Sequence, residues 1–538
     1  MTTPARPAPR WAWAAVAGAA SLPFLPVLWA WFGADDFAFI YIIRLVPEFG
    51  AFLWRDFVEN FSNTAFYRPL GMLGLYLDLR LGGGEAWLPH LSNLIVHVAT
   101  AVGVFRLALL LAPRGSSFVP ALIGAAAFAA SPRRVEAVAW VSCRPDLLAT
   151  CFTVWAANFA ASGRARSSVA TWGLALLGKE STAAMPLALA SSSMRPDAAW
   201  HVPTLVRRLV PYAMLAVAYL AIRRVLVGSW IGGYGTAQHT PTVGDLDNVA
   251  KYFAYSLLPP LESLSHAIRE PLVRGATGAA VLAGCGVAAL FAFRARHAPA
   301  VRVGAIWFAC AVLPVLSLAV SLTSPLNDRL LYLPSVGVAL VVSGFAWLAR
   351  PAVAALAAVL IAAGGIVTAE MSNRWREAGP VTERWLRGVA EISRPLPASC
   401  AVWITAAPDS LGGAYVLRSG WRFALHMLDS SREPADIRQV TLYLQQDPDV
   451  VPVVVRMTGP GEVEVASAGP TPEVIHGWTA GTPGLEMLET TTVGDRFGRT
   501  PFARLRLTEP GVIVGPSPTG PVVLGQVGEA CRPGAAAK

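Results

Sequence analysis

Residues 11–32 (WAWAAVAGAASLPFLPVLWAWF) carry no charged side chain and are long enough to cross a hydrocarbon core of about 30 Å. A chain that repeats such a stretch many times has few folds open to it. Backbone polar groups in lipid must be bonded internally, and a string of helices meets that demand one segment at a time. Further apolar runs recur near 90–112, 117–131, 147–162, 168–178, 181–193, 209–227, 275–293, 303–322, 330–349 and 351–370. With 54% hydrophobic and 14% charged residues and a mean hydropathy of +0.49, the sequence reads as a polytopic α-helical membrane protein and not as a soluble enzyme. Basic residues (Arg6, Arg10) precede the first run as in a signal peptide, but no small-residue cleavage site follows, and the run is taken as a retained helix.

Charge sets the expected topology. Residues 371–538 hold 16 Lys+Arg and 17 Asp+Glu, a net of −1, so the formal +9 leaves +10 on residues 1–370. Such an excess is what cytoplasmic loops carry under the positive-inside rule, and it is no sign of nucleic-acid binding. With the N-terminus inside, the basic loops at Arg114, Arg164/Arg166, Arg195–Arg208, Arg294–Arg302 and Arg350 all fall on the cytoplasmic side. About eleven spans follow, provided that 67–81 lies re-entrant or interfacial. The outer side then receives 33–89, 132–146, the Lys179-Glu180 turn, 228–274, 323–329 and everything after 370.

Two outer stretches differ in kind. Residues 33–66 alternate apolar and polar patches and read as short interfacial helices. After 371, Pro/Gly-punctuated runs such as VPVVVRM, EVEVAS, ARLRL and GPVVLGQ are strand signals. The expected organisation is therefore a transmembrane domain over 1–370 and a small extracytoplasmic α/β or β-rich domain over 371–538. Of six cysteines, Cys143, Cys151, Cys285 and Cys310 lie in or beside apolar runs without metal-ligand spacing. Cys400 and Cys531 both fall in the C-terminal region, where a disulfide and chance placement are equally compatible with their positions.

Polar residues at membrane depth are costly and mark cavities or functional sites, so their gathering on one expected face points to chemistry there. Asp35 and Asp36 stand just past the first span, where one carboxylate can serve as a general base while the other orients it or holds a divalent cation; a solvated helix end is the bland counterpart. Arg68, in Tyr67-Arg68-Pro69, begins a helix and has the planar fork suited to phosphate, or simply snorkels. His90, Asn93 and His97 share a helical face open to a polar headgroup or to interhelical bonding. Ser131-Pro132-Arg133-Arg134-Val135-Glu136 through Arg144-Pro145-Asp146 packs three arginines and two acids into a short turn, countercharge for a leaving phosphate. Lys179, one of three lysines, adjoins Glu180, as a phosphate contact or an internal ion pair; Asp328, Arg329 and Tyr332 open a late span. The Asp245-x-Asp247 triplet is of a kind frequent by chance. There is no Walker loop, no G-x-G-x-x-G after a strand, no G-x-S-x-G and no H-E-x-x-H, which removes support for nucleotide-driven transport and zinc hydrolysis.

Taken in order, these pieces resemble the GT-C class of polytopic glycosyltransferases, and within it the membrane half of the transmembrane-and-TPR O-mannosyltransferases and their bacterial relatives. The matching residues are Asp35-Asp36, Tyr67-Arg68-Pro69-Leu70, the His90-to-Asn93-to-His97 helix, Glu136-Ala-Val-Ala-Trp140, Arg144-Pro-Asp146, Lys179-Glu180, Asp328-Arg329-Leu-Leu-Tyr332-Leu-Pro-Ser335 and Asn373-Arg-Trp375. The resemblance implies a polyprenyl-phosphate sugar as donor, a lipid, glycan or protein hydroxyl as acceptor, and an outer-face Asp as base with inversion at the anomeric carbon. It also implies residence in the inner (plasma) membrane. Two departures stand out. Relatives carry His-Pro-x-His where this chain has Ser131-Pro132-Arg133-Arg134, and the TPR array is replaced by residues 371–538. A lipid flippase or transporter, and a non-catalytic relative of the same fold, are the competing readings. Transport argues for sites near the midplane and repeat symmetry, which the one-sided polar set does not match.

Overall fold

The structure is a computed structural model. It describes residues 8–61, 65–113, 115–194, 202–230, 233, 245–260, 299–318, 320, 327–347, 351–397 and, with short gaps, 400–531. The chain divides into two compact units, one of residues 1–28 with 47–372 and one of residues 29–46 with 373–538.

The first unit is helical. Among the described residues, five helices are long and apolar enough to cross a membrane: Arg10–Trp29, Trp87–Leu110, Val202–Val227, Asp328–Ala346 and Ala354–Ser393. Val119–Ala129 and Pro299–Val315 are shorter apolar helices. Several of the remaining runs form helices too short to reach across, such as Ala165–Gly178 and Pro186–Ser192, while the run at 275–293 lies outside the described residues. Proline at the first or second position starts many of them (Pro69, Pro120, Pro145, Pro186), since its missing N–H costs nothing there. Val206, Val210, Met214, Val217 and Val225 stand exposed along one helix, and Leu356, Val359, Leu360 and Ile366 along another. Water would penalise such surfaces and lipid does not, so the chain is a membrane-embedded helical protein.

Close packing rests on small residues. The Pro299–Val312 and Tyr332–Ala346 helices touch at Gly304 and Gly337, where a Cβ on Gly337 would stand 2.6 Å from the Gly304 carbonyl. Without a hydrophobic force between helices in lipid, that backbone approach is the packing device available. The stretch 67–81 forms a helix, Pro69–Leu81, of 13 residues, too short to span.

The final helix, Pro351–Ser393, runs on well past 370, the position at which the apolar composition ends, because its later residues keep helical spacing with charges outward. Beyond it comes a β-rich region. The Ala401–Ile404 strand pairs in parallel with Gly511–Ser517 and Ile437–Gln439, and Gly511–Ser517 turns back on Gly520–Val527. A second sheet runs Arg499–Thr500, Val474–Ile475, Leu442–Gln445, Ala407–Leu411, Ala414–Tyr415 in spatial order. A third is an antiparallel sheet of Val453–Gly459, Glu462–Ser467, Phe502–Leu507 and Leu485–Thr490. The four strand signals read in the sequence coincide with strands here. Cys400 and Cys531 are disulfide-bonded, which ties the start of this region to its end. Residues 33–66 form the short helices Asp36–Leu45 and Phe49–Trp54 followed by a π-helical turn, Arg55–Glu59.

Candidate functional site

In the helical unit the charged residues singled out by sequence come together in pairs. Arg68 grips Glu180 with two nitrogens, Nε donating to Oε2 at 2.9 Å and Nη2 to Oε1, while its guanidinium stacks 3.8 Å from the Phe66 ring. Lys179 donates to Asp146 Oδ1 at 2.6 Å. Arg144 pairs with Asp78, donates from Nε to Asn93 Oδ1 at 3.0 Å and from Nη2 to the Pro89 carbonyl at 2.7 Å. Asp78 also accepts from Ser92 Oγ at 2.8 Å, and Asn93 Nδ2 donates to the Val138 and Trp140 carbonyls, each at 3.3 Å. Glu136 caps the turn before the Asp328–Leu331 segment: it takes the Arg329 N–H at 2.6 Å, the Asn327 N–H at 3.3 Å and the Arg329 guanidinium at 2.6 Å. Arg133 meets Asp328 at 2.8 Å with both side chains fully buried.

Six buried or half-buried cations therefore face five acids, and the surplus is Arg134. It is 0% exposed, lies 5.5 Å from the Phe128 ring, and makes no ion pair among the described residues. Its Nη2 donates to the Ser256 carbonyl at a long 3.4 Å, while Nε and Nη1 are buried without a hydrogen-bond partner among those residues. Asp328 Oδ2 is buried and unbonded as well. A guanidinium in that state is costly unless a ligand or water completes it.

The same turn borders a cavity. A mostly apolar space of ≈ 480 Å³ is lined by Ala126, Ala130, Ser131, Pro132, Ser256–Pro259, Leu360 and Gly364, among others. The chain leaves that wall at Pro132 to enter Arg133 and Arg134, and Arg133 Nε donates to the Leu258 carbonyl at 3.0 Å. The doubly basic turn thus follows the cavity wall along the chain, while neither arginine is among the residues that line the cavity.

His97 is held between one acceptor and one hydroxyl donor. The Ala129 carbonyl, 3.1 Å from Nε2, can only accept, so Nε2 carries the proton and Nδ1 accepts from the Tyr332 hydroxyl at 2.7 Å. This neutral pair braces the Trp87–Leu110 helix against the Asp328–Ala346 span. His90 is fully buried on the same helix. The Asp245-x-Asp247 triplet opens the Leu246–Tyr255 helix, with Asp247 on exposed Lys251.

Glu180 is half-buried outside the long spans. Burial alone would raise its pKa, but the Arg68 fork outweighs it and holds the carboxyl down to about 2. Asp56, on the π-helical turn, shows the opposite: it is 2% exposed, its Oδ2 lacks a hydrogen-bond partner among the described residues, and burial pushes it up to about 7. Neither Asp56 nor Asp78 was singled out in the sequence. Asp78 had a signal, an acid on an otherwise apolar helix; Asp56 sits in a charged stretch where nothing marks it.

Asp35 and Asp36 belong to the other compact unit. Asp36 is 1% exposed and its Oδ2 accepts the Gly33 N–H at 3.1 Å, closing the turn before its own helix. Asp35 is partly exposed, and its Oδ1 accepts from Ser419 Oγ at 2.6 Å. Among the described residues no three His, Cys, Asp or Glu side chains converge to hold a metal.

The chain matches no protein-family model and no curated protein. Among solved structures it is similar to ArnT from Cupriavidus metallidurans, in a crystal structure bound to undecaprenyl phosphate, at 14% identity and a TM-score of 0.41, over 92% of this chain and 97% of that one. A TM-score of 0.41 is too low to carry fold or function from that protein to this chain.

Proposed function

We propose that this chain is a membrane glycosyltransferase that moves a sugar from a polyprenyl-phosphate carrier to a hydroxyl of a lipid, glycan or protein at the extracytoplasmic face. The observation that carries the reading is buried, incompletely bonded Arg134, which stands two positions along the chain from Pro132 in the wall of the apolar cavity of ≈ 480 Å³. A hydrocarbon chain suits the cavity, and a phosphate that reached Arg134 from beside Pro132 would bond its open guanidinium nitrogens. The ordered motif set described from the sequence supports the reaction class. The Cys400–Cys531 disulfide supports an oxidising, extracytoplasmic side for the C-terminal region.

In the reaction, a carboxylate of the Asp35-Asp36 pair takes the acceptor hydroxyl proton while that oxygen attacks the anomeric carbon. The bond from the anomeric carbon to the phosphate oxygen breaks with inversion, and the lipid phosphate leaves with the electron pair. Five of the six cations pair with acids, and Arg134, the sixth, is the one we assign to the donor phosphate.

The test is release of undecaprenyl phosphate from tritiated mannosyl-, glucosyl- and galactosyl-phosphoundecaprenol by the full chain in liposomes. Arg134→Ala is expected to raise the donor KM by about tenfold or more with the fold retained. Donor turnover by none of the three, or an Arg134→Ala variant with unchanged KM and kcat, refutes the assignment.

A further inference from the structure

The surroundings of Asp35 and Asp36 are asymmetric, and the asymmetry comes from the C-terminal region. Ala34 takes a left-handed backbone, φ 50°, and its N–H reaches the Val416 carbonyl at 3.4 Å. A Cβ on Gly33 would stand 2.7 Å from the Tyr415 carbonyl, and one on Gly420, itself at φ +69°, would stand 2.4 Å from the Ala34 carbonyl. Two glycines thus allow the 415–420 segment to lie backbone to backbone on the turn that carries the acids. The contact continues through Tyr41, whose ring is 5.1 Å from Phe423 and 5.5 Å from the His426 ring.

The residue just before Ser419 is itself fixed. Arg418 donates to fully buried Asp409 from Nε at 2.9 Å and from Nη2 at 2.8 Å, a fork that allows little rotation. Ser419 is therefore held from two sides, and its hydroxyl is the one hydrogen-bond partner of the Asp35 carboxylate among the described residues. Asp36, by contrast, is buried and its carboxylate is engaged in its own helix start, so it has no open face for an acceptor.

We propose that Asp35 is the base of the transfer reaction and that Ser419, delivered by the C-terminal region, is its positioning residue, which makes that region a working part of the transfer site. This rests on the glycosyltransferase reading above. One oxygen of Asp35 is held by Ser419, which leaves the other aimed for the acceptor proton; a base held in one orientation loses less to misaligned encounters than one free to rotate.

The experiment compares the full chain with Asp35→Asn, Ser419→Ala and Ser419→Thr, each checked for monodispersity in detergent, in the tritiated-donor assay with the same three sugar-phosphoundecaprenols. The expected result is loss of activity in Asp35→Asn and a kcat lowered about tenfold in Ser419→Ala with KM for the donor within about twofold. Ser419→Thr, which keeps the hydroxyl, is expected to recover kcat to within about threefold of wild type. A merely structural serine would not divide kcat from KM in this way and would not be rescued by threonine. Wild-type kcat in Ser419→Ala, with Asp35→Asn inactive, overturns the positioning role and leaves the enzyme reading standing. Normal turnover by Asp35→Asn overturns the base assignment, and no turnover by the wild type with any donor overturns the glycosyltransferase reading itself.

Discussion

Asp56 is a buried carboxyl group that makes no ion pair among the described residues. It sits on the Arg55–Glu59 π-helical turn, where the Phe61 N–H reaches back to the Arg55 carbonyl at 3.1 Å. The neighbouring charges turn away, Arg55 pairing with Glu59 at about half exposure, and the Tyr67 hydroxyl donates to the Phe57 carbonyl at 2.9 Å. Burial raises Asp56 from 3.8 to about 7. The sign follows from proton binding: between these two values the folded state holds a proton that the unfolded chain has released, so stability falls as pH rises through that window. At about 1.4 kcal/mol per tenfold, ionising this group in place costs roughly 4 kcal/mol once the pH is above about 7, and nothing below about 4. Asp56→Asn removes the ionisation and keeps the shape. The variant is expected to exceed the wild type's apparent melting midpoint at pH 8.5 by about 3 °C more than it does at pH 5, followed by intrinsic tryptophan fluorescence in detergent. A variant destabilised equally at both pH values would mean that Asp56 is bonded as a carboxylate, and the reasoning fails.

Asp328→Ala leaves Arg133 charged and buried without its partner and should cost about 3–5 kcal/mol, whereas the double change Arg133→Met with Asp328→Leu should recover most of it; chemical denaturation of the three proteins decides. Glu180, held down to about 2 by Arg68, contributes stability that is complete above about 4.5 and disappears as pH falls toward 2. Arg68→Leu should therefore lower stability at neutral pH by about 2–3 kcal/mol and flatten the acid side of the profile between pH 4.5 and 2, and an unchanged acid limb would contradict the pairing.

Much of the fold was legible because its signals are local. A charge-free run long enough to span declares a helix wherever it packs, and the runs at 11–32, 90–112, 209–227 and 330–349 correspond to long helices here. Alternating short runs after 371 declare strands for the same reason, and those at 451–457, 462–467, 503–507 and 520–526 coincide with strands. What composition could not disclose was where the last helix stops. Hydropathy ends near 370, but nothing in Ser372–Ser393 breaks a helix except Pro380, and the helix carries on with its polar face outward. Nor does a one-dimensional reading reveal that residues 29–46 gather with 373–538, since that association is made by contacts between segments almost four hundred positions apart.

The site was legible as a set of residues and illegible as a set of pairs. Each charge near the expected outer face invited the same reading, a contact for a phosphate, because sequence spacing carries no record of a partner 112 or 195 positions away, as for Arg68 with Glu180 and Arg133 with Asp328. Structure separates them by bookkeeping of charge: once each of five cations has its acid, a phosphate drawn to them would have to displace a bonded carboxylate, at a cost that the new bond only returns. Arg134 faces no such exchange. Its buried Nε and Nη1 gain bonds outright: of the two arginines in Ser131-Pro132-Arg133-Arg134 the first is absorbed by Asp328, and the second carries a positive charge that an imidazole would hold only at low pH. A phosphate site built on that guanidinium keeps its charge at every physiological pH, and donor affinity in this chain should vary little between pH 6 and 8.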